Sequence, residues 1–195
     1  MTRMPHPDHR DVDEAVAEML RVLGPHVTED WTVPAGPLEW TCWTTAAHIA
    51  HDLLAYAGQL AARPTDAYLP SDLTVRAGAA PREVLQVITA SGRLLGSALA
   101  TAAPGARAWH WGSTDSTGFA AMGVGEILLH THDITQGLAV QWLPPAPMCA
   151  AVVRRLFPDA PPGDPCEVLL WCTGRGELGG HPRRTSWTWQ AASPD

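Results

Sequence analysis

"GEILLHTHDITQGL", residues 125–138, places Glu126, His130 and Asp133 in a run that otherwise has the composition of an apolar helix. An α-helix advances by about a hundred degrees per residue, so side chains three and four apart share a face while those two apart point nearly opposite ways. Glu126, His130 and Asp133 therefore project together, and His132 is expected to make a packing or loop contact instead. A carboxylate and an imidazole four apart can grip one divalent cation from a single helix, as metal sites in helix bundles do. The same spacing also occurs as a partly solvated surface pair, worth roughly a few tenths of a kcal/mol. The neighbours Val124, Ile127 and Leu129 weigh against solvation. A buried, unpaired glutamate costs several kcal/mol or takes up a proton, so a positive group is expected to compensate it. Two ligands are too few for a metal, and "HIAHD", residues 48–52, offers His48, His51 and Asp52 from another helix.

Outward from this motif, glycine and proline divide the chain into helical stretches. Residues 10–23 open with aspartates and carry Val12, Val16, Met19, Leu20 and Leu23 on one stripe before Gly24-Pro25. Residues 44–62 keep Ile49, Leu53, Ala57 and Leu60 in phase and stop at Pro64. A third helix begins at Pro81, a residue suited to the first helical position, and ends before Pro104-Gly105. The fourth spans about 119–138. Four long helices without convincing strand alternation predict an all-α helical bundle. The bundle is expected over residues 1–145. Residues 146–195 are then an appendage packed on it: a short helix between proline-rich loops, a second helix with an N-cap aspartate in "DPCEVLLWCTGR", and an extended segment at "RRTSWTWQ".

Composition narrows the function. Acidic residues exceed basic ones by seven, and the only paired arginines are Arg154–Arg155 and Arg183–Arg184, which argues against nucleic acid as a partner. No signal-peptide core is evident, and no run approaches eighteen uninterrupted apolar residues, so a cytoplasmic protein without membrane contact is expected. Cys42, Cys149, Cys166 and Cys172 form no CxxC pair, which predicts reduced thiols; Cys42 is expected to be a buried structural one. Most of the tryptophans at 40, 43, 109, 111, 142, 171, 187 and 189 are expected to fill the core. Arg76, Arg82 and Arg93 are candidates for an acidic substrate, with nothing to select among them, and "GRGELGG" is expected to be a flexible turn. No nucleophile elbow, phosphate loop or dinucleotide motif has the right context.

Two segments carry a resemblance. "WTCWTTAAHIAHDL" resembles the Trp-Thr followed, eight residues after the Trp, by a metal-binding histidine in the mycothiol-dependent maleylpyruvate isomerase N-terminal domain family of the DinB-like superfamily. "MGVGEILLHTHDITQGL" is similar to that family's second metal segment, in which a Glu and a His four apart supply the other ligands. The tail from "LLWCTGR" to "WTWQ" is similar to the C-terminal part of actinobacterial members, with which the absence of lysine is compatible. The resemblance implies an up-down-down-up four-helix bundle in which His48, Glu126 and His130 hold a divalent metal, zinc by expectation. It departs from the family at Thr44-Thr45, where an Asp-Leu pair is usual, and its tail is short beside the larger C-terminal domain of the family isomerases, which it is not expected to replace.

Three protein ligands leave a position open, where a thiol or water is readily deprotonated. The expected function is then a metal-dependent enzyme that uses mycothiol as cosubstrate, adding the thiol to an electrophilic small molecule, transferring it, or isomerising a double bond by reversible addition. A water-activating hydrolase and a non-catalytic metal-binding module are the alternatives; a monomer or homodimer fits each. Asp133 either orients a ligand imidazole, carries a proton, or is a solvated helix-end carboxylate. Asp52 and His51 are either partners of the site or the polar side of their helix.

Overall fold

The computed structural model describes residues 6–192. The protein is mainly helical, and its helices begin where local side chains satisfy otherwise unpaired backbone amides. Helix α1 (His9–Leu23) starts behind Asp8, whose carboxylate accepts from the Arg10 amide while Asp11 accepts from the Asp8 amide. Helix α2 (Cys42–Ala62) begins two residues earlier than the sequence pattern suggested, because Thr41 caps it through the Thr44 amide. Thr44 thus contributes its backbone to the cap. Helix α3 (Pro81–Thr101) opens on its proline, with Glu83 accepting from the Ala80 amide. Helix α4 (Ser116–Gly137) is capped by Asp115, α5 spans Ala146–Leu156, and α6 (Pro165–Cys172) is capped by Asp164.

A two-stranded antiparallel hairpin, β1 (Arg107–Trp109) and β2 (Ser113–Asp115), lies between α3 and α4. Periodicity missed it because three residues per strand are too few to establish alternation. Its reversal uses left-handed backbone at Trp111 (φ 53°) and at Gly112. "RRTSWTWQ", expected to be extended, joins no strand ladder; its Trp187 and Trp189 rings meet edge to face at 5.5 Å instead.

Helix α1 packs on α3 and α4, and α2 packs on the same two. Individual contacts set their directions. Val16 lies over Gly92 while Asp13 and His9 approach Gly96, so α1 and α3 are antiparallel. Cys42 neighbours Gly137 and Ile134, whereas Tyr56 neighbours Glu126 and Phe119, so α2 and α4 are antiparallel. The Trp43 indole donates to the carbonyl of Ala79, just before α3, and Leu53 meets Gly92, so α2 and α3 run together.

Helix α4 is the centre of the protein: every residue from Gly118 to Thr135 is buried. One apolar cluster runs from Val12 of α1 through α4 to Val168, Leu169 and Cys172 of α6. α5 packs on α4, and α6 on α5. Arg155 of α5 ties the chain's end down: it donates to Asp115 and Thr117 at the start of α4 and to the carbonyls of Gln190 and Ala191. Helix α3 has the length and apolarity of a membrane span, yet its buried face belongs to this core.

The tryptophans expected to fill the core pack against it only in part: Trp43, Trp142, Trp171 and Trp189 lean on the apolar cluster from its edge. Of the eight named above, Trp40, Trp111 and Trp187 are exposed and the rest half-buried, whereas the deeply buried indole is Trp31. Small aliphatic residues and Leu, Ile and Val fill the interior, so the wide indoles sit at its edges with their N–H groups bonded, as at Trp142 to Glu18 and Trp171 to Pro182.

The contact between the end of α4 and the start of α2 has no room for a methyl group. A Cβ on Gly137 would collide with the Pro34 carbonyl and stand 2.6 Å from the Cys42 sulfur. Gly137→Ala is therefore expected to destabilise the protein by about 1–3 kcal/mol, the usual cost of overpacking against rigid neighbours. Urea unfolding monitored by circular dichroism measures this, and a change within about 0.5 kcal/mol, as at an ordinary surface site, contradicts it.

Candidate metal centre

α2 and α4 bring the two sequence motifs face to face. The His48 and His130 rings lie 5.1 Å apart, nearly perpendicular. The donor atoms of His48, Glu126 and His130 all lie within 4.8 Å of one another, forming a group that could hold a metal ion. The His130 Nε2 to Glu126 Oε2 distance is 3.1 Å. Two ligands about 2.0–2.1 Å from a tetrahedral zinc ion stand roughly 3.3 Å apart, so that edge already has suitable dimensions. His48 Nε2 is 3.2 Å from Asp52 Oδ2, so Asp52 stands beside the third member of the group.

The donor set fits a divalent metal for a further reason. His130 Nδ1 lies 3.0 Å from Asp133 Oδ2, leaving Nε2 as the nitrogen that faces Glu126. A carboxylate behind a histidine is the usual device for fixing a metal ligand's ring and tautomer. Asp133 is itself fully buried and clamped by Arg175: Nε donates to Oδ1 at 2.9 Å and the terminal NH2 to Oδ2 at 2.6 Å. With both oxygens engaged, Asp133 is placed as an orienting group.

Electrostatics follow from this burial. Burial pushes His130 towards the neutral form, but the carboxylates of Asp133 and Glu126 outweigh it and raise its pKa to about 9. Burial likewise works against ionised Glu126 and Asp133. His130 and His48 hold Glu126 below its ordinary range, while hydrogen bonds from His130 and Arg175 lower Asp133. His48 lacks that support, and burial, with the charge on His130, lowers it to about 4. Asp52 is pushed up to about 8 by burial and by Glu126 beside it. Tyr56 completes the shell by donating to Glu126 Oε1 at 3.1 Å.

The remaining candidates fall as follows. His51 lies 3.8 Å from Asp52 and outside the triad. His132 is buried, away from the triad, with Nδ1 unpartnered. Cys42 is wholly buried, its thiol pushed up to about 11 by desolvation, as expected of a structural residue. Arg76, Arg82 and Arg93 are exposed and line no part of the cleft beside the triad. That cleft measures about 860 Å³ and is lined by Trp40, His48, Glu126, His130, Arg175, Arg183, Arg184 and Trp187 among others. Sequence reasoning missed Arg175 and Tyr56. Tyr56 follows Asp52 by one helical turn on α2, a signal that was available; Arg175 lies 42 residues beyond Asp133 in a glycine-rich turn, where nothing local announces its partner. Compared with known proteins, the chain matches no family model, no curated protein and no solved structure.

Binding a cation at His130 Nε2 requires loss of the proton held there below about pH 9. Apparent zinc affinity, measured by competition with a chromophoric chelator, is therefore expected to rise by about tenfold per pH unit from pH 6.5 and to level off near pH 9, as one released proton requires. A flat profile refutes it. Asp133→Asn is expected to weaken zinc binding about 10- to 100-fold, read on the folded fraction because the substitution also leaves Arg175 without its counter-charge.

Proposed function

We propose that the protein is a cytoplasmic enzyme of the DinB-like kind, related to the mycothiol-dependent maleylpyruvate isomerase N-terminal domains, which uses a divalent metal to activate a low-molecular-weight thiol against an electrophilic small molecule. The observation that carries the reading is the convergence of His48, Glu126 and His130 beside a cleft large enough for a ligand. Support also comes from the helix directions, which match the up-down-down-up order: α1 with α4, and α2 with α3. Zinc is the metal that a His2Glu donor set suits, and mycothiol is the cosubstrate that the motif resemblance implies.

Zinc held by the three side chains would stabilise a thiolate at neutral pH. The chain's own residues do the rest. Glu126 and His130 are held in register by Tyr56 and Asp133. Asp52, raised to about 8, retains a proton near neutrality beside His48 and Glu126, where it can deliver that proton to a carbanion or leaving group. The indoles of Trp40 and Trp187 line the cleft beside the triad.

A water-activating hydrolase is the second reading, in which the same three side chains would hold a metal-bound water and Asp52 would serve as proton acceptor only above about pH 8, once its own proton is lost. A silent metal module is disfavoured by the cleft. Zinc is expected to bind at one ion per chain and to be lost in His130→Ala, by elemental analysis. Transfer of mycothiol to chlorodinitrobenzene is expected to fall at least about a hundredfold in that variant. Zinc retained by His130→Ala removes the proposed centre. Zinc bound without thiol transfer, but with ester or amide hydrolysis, replaces the first reading by the second.

A further inference from the structure

A second cavity, of about 450 Å³, shares no lining residue with the triad cleft. It lies against α2 at Asp52 and Tyr56, and is closed by Tyr68, Leu69 and Asp72 from the segment after that helix and by His110, directly after β1. Buried Gln59 holds this wall in place. Its amide donates to the carbonyls of Ala67 and Trp109 at 3.3 and 2.7 Å, and its oxygen accepts from the Leu69 amide at 2.8 Å. Tyr68 is thereby fixed between two anchored neighbours.

Three rings meet at the cavity. Tyr56 and Tyr68 each approach His110 edge to face, at 5.6 and 5.7 Å, with their planes 76° and 83° from its own. Rings set at right angles offer electron-rich faces to more than one side of a ligand, as a cation requires. His110 is 8% exposed, and its Nδ1 has no hydrogen-bond partner. A buried polar atom that the protein leaves unanswered is one that a ligand can answer. The charge also differs from that of the triad cleft: three arginines line the cleft and none lines this cavity, whose acids are Asp52 and Asp72. A metal ion does not suit it, because among the described residues the donor atoms close enough together to hold one are those of His48, Glu126 and His130.

From these observations we infer that the second cavity binds a small organic ammonium ion on an apolar body. The ammonium group lies against the Tyr68 and His110 rings and pairs with the exposed Asp72. Asp52 offers an oxygen that accepts from an N–H whether or not its carboxyl keeps a proton. The apolar body covers Leu69 and Leu73. None of these residues is a metal ligand, and the inference requires neither thiol nor metal.

The test is calorimetric titration of the full chain with three probes that share one body: benzylammonium, uncharged benzyl alcohol, and benzyltrimethylammonium, which has the charge and no N–H. Benzylammonium is expected to bind at least about fivefold tighter than the alcohol, as a cation–π contact and an exposed ion pair together allow, with the quaternary ion between the two. Tyr68→Leu and Asp72→Asn are each expected to weaken benzylammonium at least about twofold; both residues are exposed, so neither change disturbs the core. His110→Leu is expected to bring it down to the level of the alcohol, with circular dichroism reporting that the chain is folded; if it is not, the two exposed variants decide. Glu14→Gln, on the exposed side of α1, is expected to change nothing, and so is removal of metal by a chelator. Equal binding of benzylammonium and either control, undiminished binding in both exposed variants, or an equal loss in Glu14→Gln each overturns the inference. Zinc uptake, followed in the same samples, bears on the metal centre alone.

Discussion

A helix buried on every side has no reason to contain a glutamate, a histidine and an aspartate unless their charges answer one another. In α4 they do: Glu126, His130 and Asp133 form a continuous hydrogen-bonded row that ends on the Arg175 guanidinium. Each member would be costly to bury alone, and each is stabilised by the next. The row constrains the fold as much as the site. It requires α2 to present polar groups at the level of Glu126, and His48, Asp52 and Tyr56 are there. It also requires a cation from outside the four long helices, and the segment after α6 supplies it.

The tail is therefore more than an appendage. Arg155 pins its end to the start of α4, and Arg175 pins its beginning to Asp133 in the last turns of the same helix. Between those two anchors the chain forms one wall of the cleft. The histidine that faces the cleft and the wall opposite it are linked through a single aspartate, so the spacing between them is set by hydrogen bonds of 2.6–3.0 Å.

Much of this was legible in the residues. Helical periodicity, prolines at helix starts and caps such as Asp164 located the four long helices to within a few residues and pointed to the two short ones after them, because these signals act within one or two turns. The one-face relation of Glu126, His130 and Asp133 follows from helix geometry, and the structure gives it as hydrogen bonds. What escaped depends on distant pairing. Arg175 could not be chosen from thirteen arginines because its partner lies on another element. The hairpin at 107–115 was too short to show a period. The indoles misled because hydrophobicity alone does not say that a core of slender, alanine-rich helices leaves wide rings at its margin.

The four cysteines share one circumstance: each is buried, and desolvation raises the pKa of each thiol. At neutral pH almost none of their sulfur is anionic, and little of it is reachable. A reactive alkylating compound thus meets no exposed thiolate among these four cysteines.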